Sequence, residues 1–92
     1  MADIDINKSH NLEMDTARKR LEKMTGELQS QYGIKSVWTA NTATLSGTGL
    51  KKGLVELTDS AINVQITLGL LAKAMKDKIQ GQVNIALDNA LS

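Results

Sequence analysis

One imidazole, a basic run and a lone indole are the groups in this chain whose chemistry a protein could use. His10 stands beside Ser9 and near Glu13 and Asp15, so a hydroxyl, a base and carboxylates lie close in sequence. The partners of a catalytic triad converge in space from separate parts of a chain, and adjacency along it does not aim them. A histidine between a strand and a helix is read as a capping or packing residue, and no catalytic role is assigned to it. Arg18, Lys19, Arg20 and Lys23 scatter over most of the polar surface of a helix and alternate with Glu22 and Glu27. They read as a solvated face rather than a phosphate-binding stripe. Gly47-x-Gly49 lacks the third glycine and the Lys-Ser/Thr ending of a phosphate loop, so it is a turn. One His and no Cys exclude a multi-histidine metal cluster, thiolate sites and disulfides. No cofactor is expected.

Two apolar features remain. Trp38 reads as a core anchor whose indole N–H reaches a carbonyl, the other option being a wall of a small cavity between the sheet and the last helix. Leu68-Gly69-Leu70-Leu71 joins a strand to a helix, and such a turn cannot aim four successive positions inward. Leu68 and Leu71 are expected to point into the core and Leu70 into solvent. Met75 follows as a flexible, polarizable side chain, and Lys73 and Lys76 surround the patch with positive charge. The candidate binding residues are therefore Trp38, Leu70, Leu71, Met75 and Lys76.

The elements that must position these groups follow from composition and periodicity. Leu, Ile and Val supply 23 of 92 residues at a net charge of +1, which argues for a folded single domain with an aliphatic core. Acidic and basic side chains are mixed along the chain, so no nucleic-acid partner is expected. No apolar run is long enough for a transmembrane helix, and the acidic, alternating start Met1-Ala2-Asp3-Ile4-Asp5 is unlike a signal peptide. A cytoplasmic location is the expectation.

Ile4 and Ile6 alternate with polar residues as a short strand that ends near Lys8 or Ser9. Met14, Ala17, Leu21, Met24, Leu28 and Tyr32 make one stripe of a helix over residues 13–32, with Asn11 as its N-cap and Gly33 as its stop. Period two returns over 34–40, 42–46 and 62–68, and imperfectly over 50–58, where Leu50 and Leu54 are out of phase with Val55 and Leu57 and Gly53 inside the break is expected at a bulge or bend. A closing helix over 70–90 carries Leu71, Ala72, Met75, Ile79, Val83 and Leu87 on one stripe. Ile66 and Ile79 are the predicted core partners of sheet and helix. One greasy sheet face and two amphipathic helices predict a two-layer α+β sandwich of order β-α-β-β-β-β-α, an antiparallel sheet with both helices on one face. The order resembles a trimmed version of the helix-grip fold, a likeness of fold that carries no function by itself.

Ile4-x-Ile6, Ser9-His10-x-Leu12 and Ala17, Tyr32-Gly33 with Trp38, Gly49-Leu50-Lys51-x-Gly53 with one extra residue before Gly53, and Val64-x-Ile66-x-Leu68-Gly69-x-Leu71 through Lys76, Ile79 and Leu87-Asp88 follow one another along the chain. In that order they resemble the polyhydroxyalkanoic acid system family, small bacterial proteins encoded near polyhydroxyalkanoate granule genes. One departure is Ala72-Lys73-Ala74-Met75, where the family pattern has a Pro and a bulky aromatic before the Lys. The resemblance implies a role around storage-polyester granules. The expected function is non-enzymatic, that of an accessory protein binding a granule surface or a granule protein by apolar contact. The alternative is a small carrier of an apolar or acyl ligand held between the sheet and the C-terminal helix. Ligand sites occupy about 300–1,000 Å³, and a chain of this length is expected to leave little room for one.

Overall fold

Apolar side chains at every second position give the chain a sheet that is greasy on one side only. The computed structural model describes residues 2–47 and 49–91. The first strand, β1 (Ile4–Ser9), buries Ile4 and Ile6 and exposes Asp5 and Asn7. After the first helix, α1 (Met14–Tyr32), come β2 (Lys35–Thr39), β3 (Thr42–Ser46), β4 (Leu50–Leu57) and β5 (Ala61–Leu68). The last helix, α2 (Lys76–Leu91), follows a 3₁₀ turn over Ala72–Met75.

Every strand pairing is antiparallel and the spatial order is β1-β5-β4-β3-β2. β1 thus closes one edge of the sheet against the last strand, with Ile4 opposite Ile66 and Ser9 opposite Ala61. Ile62, Val64, Ile66 and Leu68 of β5 are buried, and they share one cluster with Ala17, Leu21 and Met24 of α1 and Leu87 of α2. Both helices therefore cover the same face. Thr44, Glu56 and Gln65 stand exposed on the other. The predicted two-layer α+β sandwich and its element order are the observed ones.

Local details differ from expectation in four places. Gly33 ends α1 in the left-handed region (φ 71°), its N–H donating to the Gln29 carbonyl, as predicted. The other end of α1 starts after Glu13, with no side-chain cap, rather than from Asn11. The last helix does not begin at residue 70: Leu70 and Leu71 lie in a turn, and regular α-helix starts at Lys76. In β4 the register shift falls between Leu50 and Lys52 rather than at Gly53. Gly53 is required for space, because a Cβ there would stand 2.7 Å from Leu45 Cβ on the paired strand. Ile79, the predicted core partner of Ile66, is only half-buried, at the margin of the cluster.

Candidate functional site

Burial declines along both helices toward one end of the sandwich. On α1, Ala17 and Leu21 are fully enclosed, Leu28 is half-buried and Tyr32 is 55% exposed. On α2, Leu87 is fully enclosed, Val83 and Ile79 are half-buried, and Met75 at the preceding turn is 51% exposed. Arg20 donates from Nη1 to the Ala90 carbonyl at 3.4 Å, where the helices meet. From that contact the helices part toward Tyr32 and Met75, leaving a half-open cleft of about 870 Å³. Its floor is apolar: Met24 and Leu28 from α1, Leu50 and Leu68 from the sheet, Ile79 and Val83 from α2. Its rim carries Arg20, Lys23 and Lys78 against a single acid, Glu27. Neither Lys23 nor Lys78 is ion-paired among the described residues. The expectation that the chain leaves little room for a ligand is corrected by this space. Two helix stripes exist, but they do not close on each other over their full length.

At the wide end of the cleft the chain leaves β5 in a braced turn. The Leu68 N–H donates to Asp3 Oδ2 at 2.7 Å, Gly69 N–H to the Gly49 carbonyl at 2.8 Å, and Lys73 N–H to the Gly69 carbonyl at 3.1 Å. Lys73 Nζ lies 3.9 Å from Asp3 Oδ1, a long ion pair across the turn. These bonds hold Leu70 and Leu71 outward, 84% and 92% exposed. Leu70 points to solvent as predicted. Leu71 does not enter the core, because the bonds that carry the chain from Leu68 to Lys73 leave the peptide between them looped away from the sheet. Leu68 alone of the three leucines is buried. Lys73, Lys76 and Met75 stand exposed beside the pair, and Met75 also forms part of the cleft wall.

The remaining sequence candidates, His10 and Trp38, make contacts within the fold. His10 is buried, with Nδ1 accepting the Leu12 N–H at 3.2 Å and Nε2 lying 2.8 Å from the Thr58 carbonyl. An acceptor at Nδ1 and a carbonyl at Nε2 assign the proton to Nε2, so the ring ties the strand–helix junction to the β4–β5 turn. Trp38 is half-buried under α1 and is not among the residues lining the cleft. Its indole N–H donates to Thr25 Oγ1 at 3.2 Å rather than to a carbonyl, and the Thr25 hydroxyl donates onward to the Glu22 carbonyl at 3.0 Å. The guanidinium of Arg18 lies 5.4 Å from the indole centroid while its Nε donates to Glu22 Oε1 at 2.8 Å. Arg18 and Arg20 thus hold structure in place, and the basic run is not simply a solvated face. Among the described residues no cluster of three or more His, Cys, Asp or Glu is placed to hold a metal ion. No described helix is long and apolar enough to cross a membrane.

Sequence reasoning missed the cleft and its rim lysines, Lys23 and Lys78. The available signal was the outer end of each helix stripe, Leu28 with Tyr32 and Met75 with Ile79, which the short sheet connections leave uncovered. No curated protein and no solved structure matches the chain. A family does: residues 4–91 match the one described as "Putative polyhydroxyalkanoic acid system protein". That match spans nearly the whole chain, and the chain belongs to the polyhydroxyalkanoic acid system family.

Proposed function

We propose that this protein is a non-enzymatic accessory factor of the polyhydroxyalkanoate system that attaches to the granule surface in the cytoplasm by apolar contact. The observation that carries this reading is the pair Leu70 and Leu71, 84% and 92% exposed on a turn fixed by backbone and carboxylate hydrogen bonds. Single exposed leucines are ordinary, but two adjacent ones with a half-exposed Met75 form a protrusion that gains from entering an apolar phase. Removing one leucine side chain from water is worth about 1.5–3 kcal/mol. Two leucines and part of a methionine supply about 5 kcal/mol before immobilisation costs, enough for weak, reversible attachment. Lys73 and Lys76 flank the protrusion and favour an anionic surface. The non-catalytic reading is supported by His10, whose two ring nitrogens are both engaged in holding the fold.

The test is cosedimentation with native granules of Leu70→Asp, Leu71→Asp and the double variant. Both side chains are exposed, so thermal unfolding is expected to stay nearly unchanged while association weakens about tenfold or more, roughly 1.4 kcal/mol. Full-strength association by the folded double variant refutes the assignment.

A further inference from the structure

The basic side chains on the cleft rim, Arg20, Lys23 and Lys78, have no role in the granule contact, and the apolar floor beneath them is half-open. We propose that the cleft between α1 and α2 binds a free straight-chain alkyl carboxylate, one molecule per protein, with its chain on the apolar floor and its carboxylate at Lys78. The space, about 870 Å³ and half-open, falls within the range of small-molecule sites. Met24, Leu28, Ile79 and Val83 offer unbranched and branched aliphatic surface on both walls, and the one aromatic ring of the lining, Tyr32, is more than half exposed at the end of α1. A linear chain suits that lining.

Charge selects the head group. Arg20, Lys23 and Lys78 outnumber Glu27 on the rim, so the cleft favours an anion over a neutral or cationic amphiphile. Position selects the lysine. The helices meet where Arg20 reaches Ala90, and residue 78 precedes residue 90 by twelve positions. At 1.5 Å per residue, Lys78 stands about 18 Å along α2 from that contact, at the wide end. There a carboxylate keeps its contact with water while the chain runs inward toward Met24 and Val83. Lys23 sits about one turn from the other end, beside the hydrogen bond by which Arg20 reaches Ala90. A hydroxyalkanoic acid, the repeating unit of the polyester in the family's name, is a ligand of this class.

Isothermal titration calorimetry with decanoate as the probe tests the proposal on the full chain. Decanoate is expected to bind one to one with a dissociation constant below about 1 mM, and decanol more weakly. Lys78→Glu removes an attraction and adds a repulsion at an exposed position, so it should weaken decanoate roughly three- to tenfold and leave decanol unchanged. Ala86→Trp, which fills the cleft from α2, should abolish binding of both. If that variant fails to fold, Lys78→Glu still decides. Leu70→Asp should bind decanoate normally, which separates this site from the granule contact. Absence of decanoate binding, equal binding of decanol, an unaffected Lys78→Glu, or weakening only by Lys23→Glu overturns the proposal. So does binding to anionic phospholipid vesicles with none to decanoate.

Discussion

Ile66 and Ile79 carry the same side chain and differ in what surrounds it, so replacing each with Ala measures the cleft directly. Ile→Ala removes three carbons, worth about 0.8 kcal/mol each when fully buried. Ile66 is 4% exposed in the middle of β5, between β1 and β4. Its loss forfeits the full transfer term and leaves a cavity the sheet cannot collapse, for a total of about 3–4 kcal/mol. Ile79 is half-buried on the cleft wall, where water already reaches one side of the side chain. There the transfer term is halved and no closed cavity forms, so Ile79→Ala should cost about 1 kcal/mol. Urea unfolding followed by Trp38 fluorescence gives both values, read as midpoint shifts at constant slope. The expected result is a clear excess for Ile66. Equal losses of 3 kcal/mol or more would mean that α2 closes onto α1 in solution and that the cleft does not exist there.

Gly53→Ala should destabilise the fold by about 1–3 kcal/mol, since its Cβ would stand 2.7 Å from Leu45 Cβ and the paired strands would have to separate; a thermal midpoint that does not move would show that β3 and β4 are farther apart there. Asp3→Ala should remove the acceptor of the Leu68 N–H and the Lys73 partner, at about 1–2 kcal/mol, and should speed amide exchange at Leu68. Unchanged protection at that amide would mean the turn bearing Leu70 and Leu71 is held by its backbone bonds alone.

The sheet was legible chiefly from β1 and β5, which repeat their apolar residues at period two, and Ile62, Val64, Ile66 and Leu68 can share a buried face in only one register. The one-sided greasiness of that strand also put both helices on the same face. Gly33 was legible as the end of α1 because a left-handed residue after a helix is a local requirement. The start of the last helix was not. Leu70, Leu71, Ala72 and Met75 satisfy the helical stripe as well as any later residue, but Asp3, sixty-five positions earlier than Leu68, binds the backbone and keeps the chain in a turn. A partner that distant leaves no trace in local periodicity.

The cleft escaped for a related reason. A stripe of apolar residues fixes which side of a helix turns away from water, and it carries no information on the distance to the next helix. That distance is set by where each helix is anchored. The anchors of α2 are unevenly placed: Lys8 Nζ lies 3.0 Å from Asp88 Oδ1 and Arg20 reaches Ala90, while the other end hangs from the turn through Leu70 and Leu71. Two fastenings near the C-terminal end and a loop at the other hold α2 against the sheet at Leu87 and leave Ile79 and Met75 half-covered. The same turn that displays two leucines to solvent also ends the cleft at Met75, so an apolar protrusion adjoins an apolar cleft with a basic rim through one departure from a straight helix.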